Sequence, residues 1–297
     1  VVGPTASGKS ALALRLAREL GGEIVSCDSL QVYRGLDVGS AKATLAERAL
    51  VPHHLLDVVE PHEPFSAADY SRLARGALAA IRARGRRAIV AGGTGLYLRA
   101  LTGGLFEGPS RDEALRARLE RLAGRHSSQR LHRLLGHVDP VAAARTNPRD
   151  LVRIVRALEV YWLTGRPMSR EQQRGSAPLE GFRTLVLGLA PERSALREAV
   201  EARTRRMLRD GLVAETEAVL ARYGGVPPRP LFAIGYRQAL SVLRGELTLE
   251  AAEREIVTET MRFAKRQMTW FRHQAEVAWF DDPERAHVAA RAWLTAA

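Results

Sequence analysis

Gly3-Pro4-Thr5-Ala6-Ser7-Gly8-Lys9-Ser10 has the spacing G-x-x-x-x-G-K-[ST] of a glycine-rich phosphate loop. In such a loop the backbone N–H groups curl around phosphate oxygens, and Lys9 adds a compact positive charge. Ser10 offers a hydroxyl to a Mg²⁺ that shares the phosphates. The helix expected from Ala11 to about Leu20 aims its positive end at the same anion. An ordinary glycine-rich turn would not need Lys9. The second chemically capable residue is Asp28. A nucleotide hydrolase or kinase usually carries a carboxylate at the end of an apolar strand, to hold Mg²⁺ or position water. Here the apolar segment Arg87–Ala91 runs into Gly92-Gly93-Thr94-Gly95 instead, and the acidic residue follows an earlier strand. Asp28 is then free to act as a general base, or it caps the turn at Ser29–Gln31; residue types alone leave both readings open. Cys27, one residue earlier, points to the other face of its strand and reads as buried filler.

The elements that must position these residues alternate. Val1-Val2 reads as the end of the strand preceding the phosphate loop. Strands are expected at Glu23–Cys27 and Arg87–Ala91, with a helix between them over Ser66–Arg84, capped by Ser66 with Asp69 three residues on. This alternation implies a parallel sheet wrapped by helices, with ligands beyond the carboxyl ends of the strands, so Asp28 and Thr94 are expected to face one site. From about Pro109 to Pro178 the chain turns helical and Arg-rich, as in Ala114–Gly124 and Asp150–Thr164. A strand at Thr184–Leu189 follows, then helices at Ser194–Arg209, Ala214–Tyr223 and Leu249–His273. The expected fold is α/β: a phosphate-loop kinase-like parallel sheet wrapped by helices, from residues 1–108 and 182–297, with an all-helical subdomain inserted over 109–181.

Composition narrows the class. The 297 residues are 46% hydrophobic, as in a globular protein, and no apolar run reaches the ~18 residues of a membrane span. No secretory signal is read, and a single cysteine excludes an internal disulfide framework and fits a reducing cytoplasm. The net charge of +12 suggests a polyanionic partner. Only Lys9, Lys42 and Lys265 are lysines; arginine supplies every other cation. Such survivors mark candidate places where a planar guanidinium does not serve, most clearly Lys9 in its loop. His53 and His54 have no Cys/His cluster around them and read as structural or pocket-lining, not as metal ligands. The arginines between Arg116 and Arg133 fit a solvated helix face or an RNA-binding face equally well.

Several segments together resemble the tRNA dimethylallyltransferase family. They are Gly3–Ser10, Asp28–Lys42, Pro52–Asp57, Gly92–Tyr97, Arg156–Glu159, Ile234–Gln238 and Ala264–Trp270, in the family's order and spanning nearly the whole chain. The resemblance implies transfer of a five-carbon prenyl group from dimethylallyl diphosphate to N6 of adenosine 37, next to the anticodon, with the inserted helical domain gripping the anticodon stem-loop. It implies Asp28 as base, Thr94 orienting the adenine, and Lys9 and Arg237 on the leaving group, with Gly3, Pro4, Thr5, Ala6, Ser7, Gly8, Lys9, Ser10 and Arg203 around the diphosphate. Mg²⁺ on Ser10 is the implied cofactor. tRNA contacts are implied at Asp28, Ser29, Leu30, Gln31 and Thr94, at Val152, Arg153, Ile154, Val155 and Arg156, and at Lys265 and Arg266; Arg116 is a further candidate. One departure is Ala199, where family members often carry an arginine four residues before Arg203, so a second lid arginine is in doubt. Without a Cys/His zinc module after the core, the chain resembles the bacterial form, expected to be a cytoplasmic monomer with no membrane partner. Two other readings are an adenylate (AMP/ADP) isopentenyltransferase and a small-molecule kinase. The first needs neither the helical insertion nor the basic balance, and the second lacks its strand-end carboxylate.

Overall fold

The computed structural model describes residues 1–106, 108–174 and 177–295. They form two compact units, one of Val1–Leu101 with Glu180–Ala297, the other of Thr102–Leu179. The helical unit thus begins several residues before the 109 expected from the texture of the sequence. Along the first part of the chain come α1 (Lys9–Glu19), β1 (Glu23–Ser26), α2 (Leu45–Leu50), β2 (His53–His54), α3 (Ala67–Ala83), β3 (Ala88–Ala91) and α4 (Gly95–Gly103). The helical unit holds α5 (Glu113–His126), α6 (Ser128–Val138), α7 (Pro140–Arg145), α8 (Leu151–Thr164) and α9 (Met168–Arg174). The chain then returns through β4 (Leu187–Leu189), α10 (Arg193–Arg209), α11 (Leu212–Arg222), α12 (Tyr236–Leu243), α13 (Leu249–Gln274), β5 (Ala278–Phe280) and α14 (Pro283–Thr295).

Strands β2, β1 and β3 pair in that order, as do β4 and β5, all in parallel. Val1-Val2 joins the two sets. The Val1 nitrogen donates to Val90 O at 2.6 Å on one side, and the Val2 amide donates to Leu187 O at 2.8 Å on the other. The result is one parallel surface, with the phosphate loop leaving its middle. Both faces are covered, which is why these strands read as apolar runs instead of alternating ones. One core cluster places Leu12, Leu16, Ile24, Ile89, Leu187 and Leu189 between α1, the sheet and α14. Ser66 and Asp69 form the expected reciprocal cap of α3. In β2, His54 Nε2 lies 2.6 Å from the buried carboxylate of Glu23, and His53 Nδ1 lies 2.7 Å from Val51 O. The pair is a two-residue strand tied into the sheet, in keeping with a structural role.

The helical unit has its own core. Leu119, Leu131, Leu135, Ile154 and Leu158 pack together with Ala142, Ala143 and Ala157. Three of its helices are capped by carboxylates: Asp112 accepts from Leu115 N, Asp139 from Ala142 N and Asp150 from Arg153 N. No described helix is long and apolar enough to cross a membrane.

Candidate active site

The phosphate loop is shaped by three residues at positive φ, Gly3 at 140°, Ala6 at 66° and Gly8 at 86°. Gly8 is the N-cap of α1, so the first amides of the helix, which have no intrahelical acceptor, begin at Lys9 beside the loop. Lys9 Nζ donates to Pro4 O at 2.5 Å, folding the side chain back over its own loop. A residue from the far end of the chain braces this arrangement. Gln267 on α13 accepts from Thr5 N at 2.9 Å and donates its amide to Gly93 O at 2.9 Å, tying the loop to the end of β3. A Cβ on Gly93 would stand 2.2 Å from that amide nitrogen, so only glycine leaves room for the brace.

These elements wall a cavity of about 1,670 Å³. Thr5–Ser10 form its floor, Asp28 and Gln31 one side, Gly92-Gly93 and Gln267 another, and Ala199, Arg203 and Arg206 of α10 a third. Lys9 and Arg203 bring two cations toward a single carboxylate. Burial, and then the charge of Arg203, push Lys9 down to about 7, with Asp28 opposing the shift. Burial also lowers Arg203, again against Asp28. Two desolvated cations sharing one carboxylate leave positive potential in the cavity, as an anion site requires. Ser7 Oγ adds a donor: it is buried without a hydrogen-bond partner among the described residues.

Asp28 fulfils part of both readings left open by the residue types. Its Oδ1 accepts from Leu30 N at 2.8 Å, closing a local turn, while the residue itself lines the cavity. Ser29 N donates to Thr94 Oγ1 at 3.0 Å, which ties the two strand ends together and leaves the threonine proton available to a ligand. Thr94 itself is one residue beyond the cavity-lining Gly92-Gly93. Gln31 is engaged at both ends, accepting from Ser26 Oγ at 2.8 Å and donating to Ala41 O at 3.2 Å. Burial pushes the Cys27 thiol up to about 12, consistent with inert filler.

Other expected residues are placed differently. Arg237 does not line the cavity; its guanidinium pairs with Glu259 on α13, whereas Arg203 does line it. Ile154 and Val155 are 0% and 2% exposed in the core of the helical unit, which removes their side chains from any surface contact with tRNA. Arg116 is bound through Nε and Nη2 to the buried carboxylate of Glu159, both at 2.7 Å. Arg156 donates to Glu159 at 2.6 Å and to Pro109 O at 3.1 Å. Both arginines therefore frame the unit. Val152, 74% exposed, and Arg153, whose side chain is 70% exposed, are the members of that stretch that face solvent. Lys265 and Arg266 are exposed on α13, with Arg266 over the Phe263 ring.

Gln267 is the residue that reasoning from sequence misses. It lies inside the segment Ala264–Trp270, but nothing local shows that α13 returns to the loop 262 positions earlier. Among the described residues no His, Cys, Asp or Glu group of three or more could hold a metal.

A family model described as IPP transferase matches residues 31–274. A tRNA dimethylallyltransferase of Solibacter usitatus is 50% identical over 282 residues, which is 95% of this chain and 92% of the relative. The crystal structure of the full-length tRNA isopentenylpyrophosphate transferase of Bacillus halodurans aligns with a TM-score of 0.71 at 38% identity, covering 99% of this chain and 94% of that one. A eukaryotic dimethylallyltransferase, captured acting on tRNA, aligns with a TM-score of 0.79 at 25% identity, over 99% of this chain and 78% of that one. The match extends from the strand-end segment after Asp28 to the brace at Gln267 and on to the end of α13, and the chain belongs to the IPP transferase family.

Proposed function

We propose that this chain transfers the dimethylallyl group of dimethylallyl diphosphate to N6 of adenosine 37 in tRNA, releasing diphosphate. The observation that carries the reading is one cavity in which the phosphate loop, Lys9 and Arg203 meet a strand-end carboxylate. Leaving group and nucleophile need these two things.

The exocyclic amine of adenine is a weak nucleophile because its lone pair is delocalised into the ring. As the N–C bond forms and the allylic C–O bond breaks, the amine must lose a proton. Asp28 takes it; one of its oxygens is held by Leu30 N, which fixes the carboxylate without consuming it. General-base help of this kind contributes ~10²–10⁴-fold. The Thr94 hydroxyl donates to the base and orients it. The departing diphosphate gathers negative charge where the loop amides, Lys9, Arg203 and the Ser7 hydroxyl converge, an arrangement that stabilises charge as it develops.

A Mg²⁺ fits this donor set. Ser10 lines the cavity beside Lys9, and Mg²⁺ is usually held by one or two protein oxygens together with substrate phosphates and water. The chemistry the ion supplies when bound is neutralisation of charge on the leaving group. The target base lies in an RNA loop, so it must be splayed out of its stack to enter. The helical unit, through exposed Val152 and Arg153, and α13, through Lys265 and Arg266, supply contacts to the anticodon stem-loop.

The test is the mass of unmodified tRNA after incubation with dimethylallyl diphosphate and Mg²⁺. The expected product is heavier by one C5H8 unit at the adenosine next to the anticodon. Efficient prenylation of AMP in competition with tRNA would overturn the tRNA reading while leaving the transfer chemistry standing.

A further inference from the structure

The irregular segment 29–42 gives the cavity part of its lining, Gln31, Asp37, Val38, Ser40, Ala41 and Lys42 among it, and its shape is imposed from outside the site. Three consecutive amides of this segment point at one side chain. Asp37 N and Val38 N donate to Glu215 Oε2 at 2.9 and 2.8 Å, and Gly39 N donates to Glu215 Oε1 at 3.1 Å. Successive N–H groups converging in this way make an anion-binding nest, here filled by a carboxylate from α11. Glu215 Oε1 also accepts from the Tyr236 hydroxyl at 2.6 Å. Burial, and then the Glu215 charge, raise the Tyr236 phenol well above its ordinary range, so it stays a donor. The ring of Tyr236 packs flat against the same turn: a Cβ on Gly39 would fall 2.4 Å from the ring.

From this nest a chain of hydrogen bonds runs into the site. Just after the clamped amides, Ser40 O and Ala41 O accept from Gln31 Nε2 at 3.3 and 3.2 Å. Gln31, three residues along from Asp28, is in turn held by Ser26 of β1. Lys42, its side chain 1% exposed, closes the segment by donating to Tyr33 O, Asp37 Oδ1 and Asp57 Oδ1 at 2.6–2.7 Å. Among the described residues Glu215 directs its hydrogen bonds to the amides of 37–39 and to Tyr236, not to the phosphate loop or Asp28. It fixes the wall against which Asp28 and Gln31 stand.

We propose that Glu215 is a positioning residue for the prenyl transfer, setting the geometry of the acceptor side of the cavity while leaving the diphosphate side alone. The inference rests on the reading of the site as a prenyl-transfer site with Asp28 at its acceptor end. Glu215→Gln is the direct test, because it keeps the shape but turns one of the two acceptor oxygens into a donor facing N–H or O–H groups. Expected is a fall in kcat of about 10- to 100-fold, the scale of a misplaced reactant. The KM for dimethylallyl diphosphate should stay within about three-fold, because the loop that binds it is untouched. Amide exchange should rise across residues 37–39 and stay unchanged across 3–10. Tyr236→Phe removes a single donor and should move the same quantities less. Glu215→Asp, which restores the charge on a shorter arm, should recover part of kcat.

Unchanged exchange at 37–39 would overturn the clamp. So would faster exchange with unchanged kcat, or a rise in KM in step with a loss of melting temperature, the pattern of general destabilisation. If Glu215→Gln does not fold, the Tyr236→Phe split between kcat and KM decides the question by the same criteria. Asp28→Asn, measured alongside, separates this inference from the reading beneath it. An active Asp28→Asn enzyme removes the base assignment, whereas the exchange and kcat response of Glu215→Gln report on the clamp alone.

Discussion

Arginine and lysine serve opposite purposes in the cavity and in the helical unit. In the cavity, Lys9 and Arg203 are desolvated and face one opposing carboxylate, Asp28, among the described residues, so charge is left for a ligand. In the helical unit, Arg116 and Arg156 are spent on Glu159, which is 0% exposed and also accepts from Asp112 N at 2.9 Å. Burial pushes the Glu159 carboxyl up, but the two arginines outweigh it and hold it at about 2. The count of 45 lysines and arginines therefore overstates what is available to a polyanion. A cation that binds is one whose own fold has not neutralised it, and that distinction is one of partners, not of count.

The comparison can be broken at its strongest point first. Asp28→Ala should lower turnover by ~10²–10⁴-fold with little change in tRNA affinity, measured by single-turnover transfer and a binding titration. Turnover within a few-fold of the parent would leave Asp28 as a turn cap only. In the helical unit, Arg116→Ala should lower stability by about 3 kcal/mol, because it uncovers part of a buried carboxylate. Denaturant unfolding reads that loss; a stable variant with weakened tRNA binding would return Arg116 to the RNA surface.

A pH series sharpens the other side. With Lys9 at about 7, its charge is present below that pH and lost above it. Binding of inorganic diphosphate should therefore weaken above pH 7, by up to about ten-fold per unit for one group, with uptake of a proton. Calorimetry in buffers of different ionisation enthalpy measures that uptake, and Lys9→Arg should abolish it. The acid side carries the opposite sign: the Glu159 carboxyl sits at about 2 when folded, against an ordinary value of 4.5. Its stabilisation is complete above 4.5 and disappears as pH falls toward 2. Circular dichroism of the Glu159→Gln variant should lack that component. The smallest effect belongs to Arg153. If it meets a phosphate, Arg153→Ala should reduce the salt dependence of tRNA binding by ~0.7–0.9 in log–log slope, while Arg156→Ala should act through stability.

The parts of the molecule legible in sequence are those whose signal is local. The phosphate loop is a contiguous pattern. Ser66 with Asp69 announces α3, and the helices over Leu151–Thr164 and Arg193–Arg209 carry their own periodicity. Strands β2 and β5, of two and three residues, are too short to show a period, and their existence depends on neighbours they find in the sheet. The same holds at the site. Arg116 and Arg156 look like one basic face until Glu159 is seen between them, and Arg116 is 43 residues away from it in sequence. Ile154 and Val155 sit in a motif beside an exposed arginine, yet the helix turns them inward. Arg237 lies in an equally recognisable segment, and its partner Glu259 is on another helix.

The brace at Gln267 also bears on how the chain comes to be folded. Thr5 and Gln267 are 262 residues apart, so the contact that fixes the phosphate loop is among the least local the chain can make. Such contacts close large loops and form late. The helical unit, continuous from Thr102 to Leu179, can gather its core from near neighbours while synthesis is still under way. The unit holding the cavity is discontinuous and must wait for α13 to emerge. Binding competence is thus acquired near the end of folding, and a nascent chain presents a loop of the right sequence well before it has one of the right shape.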